Sequence, residues 1–127
     1  MIRLPIEPLS PIILPILISG ETASREVDGL LDCGASYLVV ATEDAEALGY
    51  DLQMAPAVRA VTANGVVEAP FVVLRSVSIG PFEVRNVGAM CRNVSGDRIS
   101  ALIGLNLLWR FRLTLDPAKR EMTIRPC

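Results

Sequence analysis

One acidic residue, set at the end of an apolar run, offers the clearest chemistry in this chain. Gly29, Leu30 and Leu31 lead into Asp32, Cys33, Gly34, Ala35 and Ser36, which presents a carboxylate on a turn between two apolar segments. A carboxylate so placed can take or give a proton in hydrolysis. An Asp can equally close a β-turn on its own side chain, with no chemistry attached. The chain has no histidine, which removes Ser-His-Asp and Cys-His nucleophile pairs, His-rich zinc sites and imidazole acid–base catalysis. Catalysis would therefore fall to carboxylates, thiols or lysine.

The elements that must position Asp32 fit within 127 residues, which we read as one domain over 1–127. Twelve basic and fourteen acidic side chains give a net charge of −2, too balanced for the electrostatic footprint of a nucleic-acid binder. Cys33, Cys91 and Cys127 show no C-x-x-C spacing, and their odd number suits a reducing compartment, so a cytoplasmic protein is expected. Pro5, Pro8, Pro11 and Pro15 interrupt the apolar start, which reads as extended chain and neither as a membrane span nor as a signal peptide.

Short β-branched runs recur at residues 12–18, 27–31, 37–40, 58–62, 71–77, 82–87 and 112–115, separated by turn-formers, as in an all-β domain. Asn64 and Gly65 give the strongest hairpin signal, since both tolerate positive φ. Residues 42–48 predict a short helix, with Thr42 at the N-cap, Glu43 and Asp44 in the first turn and Gly49 past the end. A second helix of about two turns is expected over 105–111, after Gly104.

The Asp32 turn has a companion in Ser100, Ala101, Leu102, Ile103 and Gly104, a small-and-apolar strand that runs into Leu105, Asn106, Leu107 and Leu108. Together the two segments resemble the retropepsin-like (retroviral-type) aspartic proteases, and most nearly the single-domain bacterial aspartyl proteases. The likeness continues in order through the helix ending at Gly49, the hairpin at 61–67, Val77 to Gly80, Arg85 to Val87, and Phe111 to Asp116. It implies an all-β, single-domain retropepsin-like half-barrel with one or two short helices, assembling as a two-fold dimer. It further implies a homodimeric aspartic endopeptidase that hydrolyses peptide bonds with a water activated by a pair of Asp32 carboxylates, one per subunit.

On that resemblance the catalytic group is Asp32, Cys33 and Gly34. The substrate-binding group is Ala35 on the cleft floor, Thr62, Ala63, Asn64 and Gly65 on the flap, and Ile103. Neither metal nor cofactor is needed, and the partners are a second copy and a peptide or protein. Asn-Gly at a hairpin tip is also what any exposed turn would choose. Cys33 departs from the family's usual Thr or Ser, and a thiol is a weak donor and acceptor for the hydroxyl network beneath the dyad. Two readings then compete: a working peptidase, or a catalytically weak or silent module that binds peptides or dimerises on the same fold. A small β-barrel with an unrelated ligand is a third, which leaves the ordered motifs to coincidence. Leu105 stands where viral enzymes place an ion-pairing Arg. Trp109 and Phe111 read as core or interface anchors, and Arg110 and Arg112 as solvated charges. Residues 1–4 and 122–127 correspond to the family's termini, which pair with those of the partner.

Overall fold

Side chains turn alternately inward and outward along most of the strands in the computed structural model, which describes residues 1–62, 65–94 and 99–127. The strands are β1 (Ile2–Pro5), β2 (Ile13–Ser19), β3 (Ser24–Leu31), β4 (Leu38–Val40), β5 (Ala57–Thr62), β6 (Gly65–Ile79), β7 (Phe82–Cys91), β8 (Ala101–Ile103), β9 (Phe111–Asp116) and β10 (Glu121–Pro126). Two short helices, α1 (Thr42–Ala47) and α2 (Leu105–Leu108), complete the order. In β2, for example, Leu14, Ile16 and Ile18 turn inward and are buried, whereas Ile13 and Leu17 face out.

The larger sheet runs β2-β3-β8-β4-β7-β6-β5, and β6 also pairs with β2 through Leu17↔Ser78, Ile18↔Val77 and Ser19↔Ser76. That last pairing closes six strands into a barrel. β5 lies outside it, on the first half of the long strand β6, from Ala57↔Pro70 to Thr62↔Gly65. The second half of β6 pairs with β7, from Phe71↔Met90 to Ile79↔Phe82. Two pairs, β3 with β8 and β4 with β7, are parallel, so side chains distant in sequence meet on one face. The barrel interior is filled by Ile16, Ile18, Leu38, Leu74, Ile103 and Leu107, all fully or almost fully buried. Each such side chain contributes roughly 1.5–3 kcal/mol relative to exposure.

The first and last strands pair with each other. β1 pairs with β10 through Ile2↔Ile124 and Leu4↔Met122, and β10 pairs in turn with β9, forming a separate three-stranded sheet. Met122 and Ile124 are fully buried against the barrel core. The segments that correspond to the family's termini, residues 1–4 and 122–127, thus pair with each other within the chain.

Two local expectations also change. Thr42 is the first residue of α1 and not its cap; Ala41 occupies the N-cap position without a side-chain hydrogen bond, and the Thr42 hydroxyl donates instead to Asn93 Oδ1 at 3.0 Å. The second helix stops at Leu108, since Phe111 already begins β9. Trp109 at its end is 78% exposed and lies outside this chain's core, whereas Phe111 is buried in it.

Candidate active-site groove

Asp32 follows β3 directly, and its backbone N–H donates to the Ile103 carbonyl of β8 at 3.1 Å. The chain then reverses: the Ala35 N–H donates to the Asp32 carbonyl at 3.2 Å. Within this turn the Gly34 N–H donates to Asp32 Oδ1 at 2.9 Å, so a backbone amide orients the carboxylate and stabilises its charge. A Cβ on Gly34 would lie 3.2 Å from that same oxygen, a tight approach that glycine avoids.

The turn is clamped from outside by the start of α2. Leu105 N–H donates to the Ala35 carbonyl at 2.8 Å, and Asn106 N–H to the Ser36 carbonyl at 3.1 Å. This docking depends on Gly104, where an added Cβ would run into the Tyr37 and Ala35 carbonyls. The Asn106 side chain completes the clamp. Its Oδ1 accepts the Leu38 N–H at 2.8 Å, and its Nδ2 donates to the Gly88 carbonyl at 2.8 Å, tying the entry of β4 to β7.

In front of the turn lies a groove of about 610 Å³. Asp32, Gly34 and Ala35 line it, together with Tyr37 and Val39 from the β4 side, Met90 and Arg92 from the β7 side, and Leu102 from β8. Asp32 is half-buried, and Cys33 beside it is exposed and does not line the groove. The hairpin reaches the same space through Ala60 and Val61. Gly65 opens β6 with φ of 110°, pairs with Thr62 and does not line the groove. Ala63 and Asn64 lie outside the described residues.

Ile103 is placed differently from the sequence reading: its side chain is fully buried in the barrel core, and its contribution to the site is the carbonyl that holds Asp32. Leu102, one residue earlier and on the opposite face of β8, is the side chain that meets the groove. β8 is too short for a period to mark that face in the sequence, and Met90, Arg92 and Asn106 likewise carried no local signal, because strand order and the docking of α2 bring them toward Asp32.

Away from the groove, Asp44 on α1 is buried and ion-paired to Arg25 of β3 at 3.1 Å. Burial pushes its carboxyl above the usual carboxylate range, and the Arg25 guanidinium opposes that push without cancelling it. Cys91, buried at the end of β7, has its thiol pushed up to about 11 by loss of water. Among the described residues, no cluster of three or more acidic or thiol side chains could hold a metal ion, and no helix is long and apolar enough to cross a membrane.

Residues 15–107, which include the Asp32 turn, both helices' shared scaffold and the β8 to Leu107 clamp, match the family model described as aspartyl protease. The chain belongs to the aspartyl protease family. Its fold is retropepsin-like: it superimposes on the crystal structure of a retropepsin-like aspartic protease from Rickettsia conorii with a TM-score of 0.73 and 28% identity, over 97% of this chain and 88% of that one. The retroviral protease-like domain of Ddi1 from Leishmania major shares the fold, with a TM-score of 0.56 and 19% identity over 91% of this chain and 89% of the other. In sequence, this aspartyl protease family member is 36% identical over 85 residues to an uncharacterized protein of a Sinorhizobium species, covering 66% of the chain and 36% of that relative. It is 37% identical over 84 residues to an uncharacterized protein of Rickettsia prowazekii, covering 65% of the chain and 35% of the relative. The chain thus spans about a third of the length of the curated relatives it matches.

Proposed function

We propose that this protein is a homodimeric aspartic endopeptidase in which Asp32 of each subunit contributes one carboxylate to a shared site. The observation that carries the reading is the Asp32 turn itself: a carboxylate held by the Gly34 amide, clamped by α2, and set in a groove of about 610 Å³. Two carboxylates held about 3 Å apart cannot both ionise cheaply, so such a pair retains one proton. The ionised member takes a proton from water as the oxygen attacks the scissile carbonyl, and the protonated member gives its proton to the carbonyl oxygen. The resulting tetrahedral diol then collapses: one hydroxyl proton returns to a carboxylate, the nitrogen gains a proton, and the C–N bond breaks to release acid and amine.

In this reading Gly34 and the docked helix keep the carboxylate from turning away, which is positioning and not chemistry. The β5–β6 hairpin covers the peptide, with Thr62, Ala63, Asn64 and Gly65 toward its tip, and Ala35 keeps the floor small. The test is digestion of a diverse peptide library by the purified chain beside Asp32→Asn, at pH values from acid to neutral. Cleavage by the parent chain and its loss in a folded Asp32→Asn variant support the reading. Equal cutting by both preparations contradicts it.

A second reading, a peptide-binding or dimerisation module without turnover, is favoured by Cys33, since a thiol replaces the hydroxyl that normally braces the dyad. Cys33→Thr separates the two. A large gain in cleavage identifies a slow peptidase, and retained peptide affinity without any cleavage identifies the binder.

A further inference from the structure

The walls of the groove are mainly apolar, with Val39, Met90, Val94 and Leu102 among them. Of its described lining residues, two carry a formal charge: Asp32 and Arg92. Arg92 follows β7 directly, and its backbone N–H donates to the Val40 carbonyl at 3.0 Å, which fixes its origin beside β4. The residue is half-buried. The ion pairs among the described residues belong to Arg3, Arg25 and Arg85; Arg92 takes part in none of them.

A guanidinium carries five N–H donors and no acceptor, and losing its water without gaining acceptors is costly. An extended peptide laid along this groove strips further water from Arg92, and the loss is offset when the peptide supplies a planar anion that accepts two parallel hydrogen bonds. Asp32 does not fill that role, since it makes no ion pair with Arg92 and one of its oxygens already accepts the Gly34 amide. A basic peptide side chain at the same place meets a like charge and is rejected.

We propose that Arg92 makes the groove selective for peptides that carry an aspartate or glutamate side chain within a few residues of the bond at Asp32, flanked by apolar residues. This deepens the peptidase reading and rests on it. The assay uses the full chain with peptides amidated at the C-terminus, in pairs that differ as Glu against Gln at each successive position around the cleaved bond. The expected result is one position at which the Glu peptide has a kcat/KM about tenfold or more above its Gln twin. Arg92→Gln then equalises that pair by slowing the Glu peptide alone, Arg92→Lys keeps part of the preference, and Arg92→Glu shifts it toward Lys peptides.

Equal cleavage of every pair by the parent chain, with Asp32→Asn silent, overturns the selectivity and leaves the peptidase standing. A preference that appears solely with a free C-terminal carboxylate also overturns it. Should the parent chain cut no peptide, fluorescence anisotropy of labelled Glu and Gln peptides on Asp32→Asn decides the matter. Tighter Glu binding that vanishes on adding Arg92→Gln upholds the selectivity while the peptidase reading falls, and equal binding of the pair removes both.

Discussion

Asp32 owes its orientation to three neighbours of different kinds: an amide two residues on, a carbonyl from β8, and the helix that docks against its turn. The amide was readable from the Asp-x-Gly spacing, whereas the carbonyl of Ile103 was not, because it follows from parallel pairing of β3 with β8. The same distinction governs the thiols. Cys91 is buried and its thiol titrates near 11, whereas Cys33 and Cys127 are exposed. In native protein at mildly alkaline pH, a thiol reagent should therefore modify Cys127 promptly and Cys91 on unfolding alone, with Cys33 labelled promptly in isolated subunits and more slowly in the proposed pair. Peptide mapping after timed labelling checks this, and equal labelling of all three contradicts the packing of β7. Asp44 supplies a pH prediction. Its carboxyl titrates above the reference value of 3.8 because burial disfavours its charge. A folded-state value raised above the unfolded one adds stability that is complete below the unfolded value and is lost as pH rises through the folded value. Asp44→Asn, which mimics the neutral form, should gain on the parent chain in urea unfolding as the pH goes from about 3 to about 7. Movement of the difference in the other direction would show that the Arg25 pairing outweighs burial.

At the scale of elements, β-branched apolar runs between turn-formers made β2, β3, β6 and β7 legible, whereas the period of two in β2 shows in burial alone, with Leu14, Ile16 and Ile18 inside and the equally apolar Ile13 and Leu17 outside. The helix at α1 was legible from Gly49 and the early acids, but its cap was not: Thr42 competes between the helix end and Asn93, and tertiary contact decides. β8 has three residues, too few for a period, and its partners on both sides are remote in sequence. The groove was legible at Asp32, Gly34 and Ala35, which lie together in sequence. It was hidden at Met90, Arg92 and Leu102, which reach the same space by strand order alone. Asn106 illustrates the cost of such hidden roles, because removing its amide leaves the Leu38 N–H and the Gly88 carbonyl without their partner. The junction of β8 and α2 gives the sharpest test of this scale. Gly104→Ala places a methyl group against two backbone carbonyls that cannot swing aside, and should destabilise the fold by about 2 kcal/mol or more. Chemical denaturation measures it, and a change under about 0.5 kcal/mol would mean that the turn is not clamped as described.

For the whole molecule, barrel closure through β2 and β6 and the intrachain terminal sheet leave Asp32 as the one carboxylate among the described residues that line the groove. A fold can be shared by proteins of different activity, so the family and the barrel give the setting and the site gives the chemistry. The proposed chemistry needs two acids, and that requirement makes activity a property of a pair. The most direct measurement mixes parent chain, at fixed concentration, with increasing Asp32→Asn chain and follows peptide cleavage after subunits have exchanged. The account predicts that specific activity rises with concentration in the parent chain alone and falls toward zero as the variant captures parent subunits in mixed pairs. Cleavage that is linear in parent concentration and indifferent to added Asp32→Asn would contradict it.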